Sequence, residues 1–495
     1  MYKTGFSNEI YFERQTRQIK ERIERFSGKL YLEFGGKLFD DFHASRVLPG
    51  FEPDNKIKLL QSLSNDTEII FCISADDIEK TKMRSDVGIS YDMDILRLTD
   101  EFRAMGLTVN SVVITKYEGQ VAADRFITRL SNIGIKSYKH YPIPNYPSDV
   151  KTIVSDDGYG KNDFVETTKP LVVVTAPGPG SGKLAVCLSQ VYHEHKRGRY
   201  AGYAKFETFP IWNLPLKHPV NLAYERATTD LMDVNLIDPF HLEAYGETTV
   251  NYHRDVEAFT IVRAILKSIT GDENFYRSPT DMGVNMAGYA ITDDEAVRSA
   301  AKQEIIARYY TAICDYKLGK IKHNQVEKME SLLNQLELNP ERDRPCVMPA
   351  LNKANECSKA CVAYELCDGT IVTGKSSYIM SATSAATINA LKLLAGIADP
   401  IQLIPASVLT PMLELKRNVL GSKTSALKLD DVLLALTVSS NTNPTVKLRL
   451  EQLPKLRNAD LHSSVMLRSG DSSTLKKLRV RFTQDPVFPE NSLYF

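Results

Sequence analysis

The segment LVVVTAPGPGSGKLAVCLSQVYHE, Leu171 to Glu194, passes from β-branched residues through a Gly-Pro knot to a lysine and then a helical pattern. A phosphate-binding loop has the form G-x-x-x-x-G-K-[ST]. Its glycines let backbone N–H groups curl around phosphate oxygens, its lysine meets the charge, and its hydroxyl holds Mg²⁺. Here Gly178, Gly180, Ser181, Gly182 and Lys183 fall where such a loop needs them. Two positions depart. Pro177 replaces the first glycine and brings no N–H, and Leu184 replaces the metal-binding Ser or Thr. The chemistry expected is anion binding at a helix N-terminus, with a nucleotide as the candidate cofactor, with or without Mg²⁺. Ser181 is either a substitute hydroxyl or the helix cap. The competing reading is a glycine turn carrying a solvated lysine.

A second polar cluster follows. Asp233, Asp238, His241, Glu243, Glu247, His253 and Asp255 lie within 23 residues. Asp238 is placed to hold a metal through water or to act as a base on a substrate hydroxyl, with His241 beside it. No H-E-x-x-H spacing occurs, and the HEH at His193–His195 does not supply it. The bland reading is surface and capping acids. Near the start, KLYLEFGGKLFDDFHASR places Asp40, Asp41, His43 and Arg46 after two apolar runs around Gly35-Gly36, a pattern that spells a hairpin. Cys346, Cys357, Cys361 and Cys367 contain only one pair at zinc-ligand spacing, so buried free thiols are expected. Lys375, Ser376 and Ser377 precede a helix that Ser381 or Thr383 would cap. From Leu415 to Arg481, thirteen basic residues face five acidic ones, without an aromatic platform for bases.

These residues need a scaffold. TEIIFCIS, TVNSVVIT, IKSYKHYPI and LVVVT read as short apolar strands, as in a sheet covered on both faces. Between them, ISYDMDILRLTDEFRAMG puts Met93, Leu96, Leu98, Phe102 and Met105 on one helical side. QVAADRFITRLSNIG does the same with Ala123, Phe126, Ile127, Leu130 and Ile133. Alternation of this kind predicts parallel crossovers and a doubly wound, Rossmann-like α/β domain over residues 1–225 with a P-loop-like turn. Residues 226–340 read as helical. The helix from His253 should stop at Gly271, and a Thr292-x-x-Glu295 capping box should open another. Residues 341–495 read as a C-terminal α/β domain. It holds a hairpin turning at Asp368-Gly369, a helix ending at Gly396, and a strand–helix–strand close.

Composition narrows the class. The 495 residues carry 61 basic and 61 acidic side chains, so no overall field steers the chain toward nucleic acid or an anionic membrane. With 43% hydrophobic and 25% charged residues it reads as globular. No apolar h-region and no run of membrane-spanning length is present, and seven cysteines argue against a disulfide framework. A cytoplasmic protein without a membrane partner is expected. There is no G-x-S-x-G elbow and no Cys-His signature for a covalent nucleophile.

LYLEFGGKLFDDFHASRVLPGF, VVVTAPGPGSGK, FPIWNLPLKHPVNLAYERATTDLMDVNLIDPFHLEAYG and GKSSYIMSATSAATINALKLLAG together make the chain resemble, over nearly all its length, a bacterial family of uncharacterised proteins catalogued as domain of unknown function number eighteen forty-six. The resemblance implies a cytoplasmic, commonly oligomeric α/β protein. It brings no established catalytic residues. The "ATP-dependent peptidase" label that some members have carried finds no protease constellation here. The leading expectation is an enzyme acting on a phosphorylated small molecule or nucleotide, transferring a phosphoryl or related group, with Asp238 and His241 supplying acid–base or metal chemistry. The alternatives are a non-catalytic ligand sensor or assembly protein, and RNA binding through the basic C-terminal region.

Overall fold

The computed structural model describes residues 3–35, 41–84, 88–227, 234–422, 424 and 426–489. The chain forms two compact units, one of residues 4–301 and one of residues 302–495 with the first three residues.

The first unit is built on a seven-stranded sheet. Its strands are β1 (Leu30–Phe34), β2 (Thr67–Ser74), β3 (Thr108–Thr115), β4 (Lys136–Lys139), β5 (Leu171–Thr175), β6 (Gly202–Phe206) and β7 (Gly283–Val284). Their spatial order is β7-β6-β1-β5-β2-β3-β4, and every pairing is parallel. All eight residues of β2 and all five of β5 are buried, which is why they read as unbroken apolar runs. The chain steps outward from β2 to β4, returns to insert β5 between β2 and β1, and then passes β1 to continue outward as β6 and β7.

The segment expected as the first arm of a hairpin after Lys29 is instead paired with other strands on both sides. β1 is an interior strand with β5 on one side and β6 on the other, so neither edge can accept a hairpin partner. Gly36 to Asp40 lie outside the described residues, and a helix, Phe42–Val47, follows them. Fully buried Asp41 caps that helix through the Ala44 amide at 3.2 Å and pairs with Lys56 at 2.7 Å.

Helix α1 (Tyr91–Ala104) follows β2. It buries Leu98 and Phe102 as expected, turns Tyr91 and Ile95 inward with them, and leaves Met93 exposed. Helix α2 (Val121–Asn132) buries Ala123, Phe126 and Leu130, as its spacing predicts, while Ile133 is exposed. Helix α3 (Lys183–Lys196) leaves β5 through the glycine loop. Helix α4 (Pro239–Tyr245) is short, and α5 (His253–Thr270) ends at Gly271 in the left-handed conformation, as expected of a C′ glycine. Helix α6 (Asp294–Lys317) is not opened by Thr292 and Glu295. Asp293 supplies the cap, accepting from the Ala296 amide at 3.0 Å.

The second unit holds a four-stranded sheet of β8 (Cys361–Glu365), β9 (Ile371–Lys375), β10 (Asp460–Ser463) and β11 (Arg481–Gln484), in the order β9-β8-β10-β11. β8 pairs antiparallel with β9 and β10, and β10 pairs parallel with β11 across a strand–helix–strand crossover. The β8–β9 hairpin is present, but its turn differs from the one expected. Among residues 366–370 only Gly369 has positive φ, and the Gly369 amide donates to the Leu366 carbonyl at 2.9 Å. That is a tight turn followed by a left-handed glycine, not a two-residue turn with both centres left-handed. Helix α7 (Ala382–Leu394) packs on this sheet, and Ser381 caps it through the Ser384 amide at 3.2 Å.

Candidate functional site

The glycine loop lies at the carboxyl end of β5, in the middle of the large sheet. Gly180 and Gly182 take φ of +77° and +87°, and Gly182 is the residue from which α3 springs. Only glycine enters this region cheaply. A side chain on Gly182 would come within 3.1 Å of the Thr115 methyl, and one on Gly178 would overlap the Tyr91 hydroxyl. The loop is therefore pressed against β3 and α1. The Thr115 hydroxyl donates to the Ser181 carbonyl at 2.9 Å and fixes the loop from below.

Ser181 is fully buried, and its hydroxyl donates to the Gly178 carbonyl at 2.9 Å, closing the loop on itself. It does not cap the helix. Position 184, where a P-loop carries its metal-binding hydroxyl, is leucine, so the start of α3 offers no side-chain ligand for Mg²⁺ there. The main-chain amides of Gly180, Ser181, Gly182, Lys183 and Leu184 have no acceptor among the described residues. A helix start leaves such donors unmade, and they carry partial positive charge. Lys183 opens the helix half-buried, close enough to act on the thiols of Cys72 on β2 and Cys187 on α3. Burial pushes the Cys72 thiol up to about 12, against the pull of Lys183, so neither thiol is a nucleophile at neutral pH.

A further residue joins this edge that sequence reasoning missed. Ser74, the last residue of β2, is 2% exposed, and its hydroxyl has no hydrogen-bond partner among the described residues. β2 is the direct neighbour of β5. Nothing in the local sequence marks Ser74 out, because only the strand order brings its end beside the loop.

On the other side of β5, the carboxyl ends of β1 and β6 carry an ionic cluster in which Glu207 is buried and its partners half-buried. Lys205 on β6 lies 2.6 Å from Asp255, in the first turn of α5, and 2.7 Å from Glu207. Glu33 stands beside Lys205 in register on β1 and accepts from the Tyr203 hydroxyl at 2.8 Å. Burial works against the Lys205 ammonium. Asp255, then Glu207 and Glu33, outweigh it and push its pKa well above the ordinary range. Burial raises Glu207 to about 7, with Lys205 opposing and Asp255 adding to the rise. Glu33 and Lys183 both act on Cys187, which ties this cluster to the glycine loop. Asp255 belonged to the polar cluster noted in the sequence. Lys205 and Glu207, fifty residues earlier, gave no local signal.

Asp238 and His241 sit elsewhere. Asp238 is fully buried, caps α4 by accepting from the Phe240 and His241 amides at 3.0 Å each, and takes the Thr280 hydroxyl at 2.7 Å. His241 shares a 2.8 Å hydrogen bond with Ser278. Among the described residues no hydrogen bond or ion pair joins either to the loop at Gly178–Lys183. Asp233 lies outside the described residues. His193 is a core residue bonded to the Asn162 carbonyl. Cys357 and Cys361 approach to 3.5 Å, and the described residues hold no group of three or more His, Cys, Asp or Glu side chains arranged for a metal ion. No helix among them is long and apolar enough to cross a membrane.

The fold is thus α/β, with a seven-stranded parallel sheet whose carboxyl edge gathers the polar residues. The chain belongs to the DUF1846 family: residues 4–337 match its N-terminal domain of unknown function and residues 342–494 its C-terminal one. It is 52% identical to a UPF0371 protein of Clostridium botulinum strain Alaska E43, covering all of this chain and 99% of that one. UPF0371 proteins of Clostridioides difficile strain 630 and Clostridium tetani are each 51% identical, over all of this chain and 100% and 99% of theirs.

Proposed function

We propose that the carboxyl edge of the large sheet binds the phosphate of a small molecule or nucleotide, with the Gly178–Lys183 loop as its cradle. In this reading the sheet is a doubly wound, Rossmann-like nucleotide fold and the loop a P-loop-like turn without its metal-binding hydroxyl. The observation that carries it is the run of unpaired amides from Gly180 to Leu184, with Lys183 at the first position of a 14-residue helix. Backbone donors at a helix start favour an anion, and ligands of open parallel sheets lie beyond the strand ends where the strand order reverses. Ser74 supplies a further unpaired hydroxyl at the same edge.

Catalysis, as phosphoryl or related group transfer, is part of this reading, with a ligand sensor as the alternative. Incubation with ATP and with sugar phosphates separates them, because a sensor is stabilised against heat without forming product. Asp238 is not given the catalytic role here, since its oxygens are committed to capping and to Thr280. Self-association through the second unit belongs to the same reading, supported by the exposed apolar residues Val419, Leu420, Leu434 and Val438. The RNA alternative loses part of its basic surface, because Arg449 is buried and Lys416 and Arg481 are paired with Asp431 and Asp460.

Titration calorimetry with ATP and with inorganic phosphate tests the cradle. Lys183→Ala should weaken binding about ten- to a hundredfold, the worth of one charge-assisted bond. Unchanged affinity would remove the loop from the site.

A further inference from the structure

The Lys205 cluster is electrically unbalanced. One ammonium is held between two carboxylates, Asp255 at 2.6 Å and Glu207 at 2.7 Å, and the Glu207 side chain is 6% exposed. Among the groups packed round it, β6 contributes Lys205, α5 contributes Asp255, β1 contributes Glu33 acting through Lys205, and β7 contributes Gly283, which carries no charge. With both acids ionised, an excess negative charge is buried beside the loop. Two charged carboxylates sharing one cation are relieved when one of them takes a proton.

The loop is close enough to matter. β1 alone separates β5 from β6, and strands lie about 4.8 Å apart, so the strands that carry the loop and the cluster are roughly 10 Å apart. Val174, Glu33 and Lys205 are in register, and both the loop and Glu207 follow from the carboxyl ends of these strands. At that distance, with an effective dielectric of about 20, each unit of charge changes a neighbour's proton affinity by about tenfold.

We propose that Glu207 is the proton carrier of this anion site: it takes up a proton when a phosphate-type dianion enters the cradle and returns it when the anion leaves. The inference rests on the phosphate-binding reading of the loop. The step balances without a co-reactant. Water gives the proton, an O–H bond forms on Glu207, and Lys205 keeps its charge and its pairing with Asp255. The bound state then carries a buried neutral acid whose proton is shared with Asp255. Glu207 already sits near neutrality, so the change falls in an accessible pH range.

The experiment uses inorganic sulfate, whose charge is constant between pH 6 and 9, added to the full chain in weakly buffered solution against sodium chloride of equal ionic strength. Proton uptake is read by pH-stat, and binding independently as a sulfate-dependent rise in unfolding temperature. The expected result at pH 8 is uptake of about half a proton or more per chain. It should vanish in Glu207→Gln, and both signals should move to about ten- to a hundredfold higher sulfate in Lys183→Ala. Asp255→Asn provides a second handle should Glu207→Gln fold poorly. Removing the repelling carboxylate should move the uptake to lower pH. Lys183-dependent stabilisation without proton uptake, or uptake that persists in Glu207→Gln, overturns the role of Glu207 and leaves the cradle standing. Absence of any Lys183-dependent stabilisation overturns the cradle and the inference together.

Discussion

Ser74 makes opposite demands on stability and on binding. A buried hydroxyl without a partner costs about 1–3 kcal/mol, so Ser74→Ala should stabilise the fold by about 1 kcal/mol in urea denaturation. If the hydroxyl serves the ligand, the same variant should lose affinity for inorganic phosphate by several-fold in calorimetry. A stabilised variant with intact affinity would mark Ser74 as a defect of the core. At this scale the sequence was readable where chemistry is local. Gly182 and Lys183 could be picked out because a loop motif is contiguous, and Gly180 and Gly182 take the left-handed conformation that only glycine enters cheaply. Asp238 stood out by composition, yet capping acids and catalytic acids are the same residue type, and only the Phe240, His241 and Thr280 contacts tell them apart. Lys205 and Glu207 were invisible, because their meaning comes from a partner in α5, fifty residues from Lys205, and from its strand neighbour Glu33, 172 residues earlier.

Elements were legible in proportion to how far they fix their own conformation. β2 and β3 coincide with the apolar runs TEIIFCIS and TVNSVVIT, and α5 ends at the glycine expected. β1 was misjudged because apolar alternation about Gly-Gly fits a hairpin as well as an interior parallel strand, and local pattern does not reveal the neighbours. The cap of α6 moved by one residue because Thr292 and Asp293 are both good caps. Helix and strand meet most tightly at Gly374 of β9, where an added Cβ would run into the backbone of Ala385 and Ala386 at the start of α7. Neither side can yield by rotating a side chain. Gly374→Ala should therefore cost about 3 kcal/mol, at the upper end of ordinary overpacking, read as a lowered urea midpoint. A loss below 0.5 kcal/mol would mean that α7 slides freely on its sheet.

Over the whole molecule, buried imidazoles set the response to acid. Burial lowers His140, His193, His195, His218 and His462 below the ordinary value, with His140 brought to about 4. The unfolded chain takes up these protons first, near pH 6.5, so stability falls as pH drops from there toward 4. His140 alone should cost about 2 kcal/mol at pH 5. Glu207, Glu365 and Asp471 act in the opposite sense: burial raises their folded pKa values, so their contributions grow as pH falls, that of Glu207 from about 7 toward 4.5, but they are three groups against five. Urea midpoints at pH 7 and pH 5 should differ less in His140→Gln than in the parent, and equal differences would show that His140 is hydrated in the folded state.

The placement of β1 has a consequence for synthesis. Both strands that flank it arrive late: Leu30 pairs with Leu171 and with Gly202, about 140 and 170 residues downstream. At about 5–20 residues per second, the ribosome leaves this apolar ribbon unpaired on both edges for roughly 7–30 seconds. Nascent chains halted before residue 171 should therefore be captured by holdase chaperones, and chains released past residue 206 should escape them.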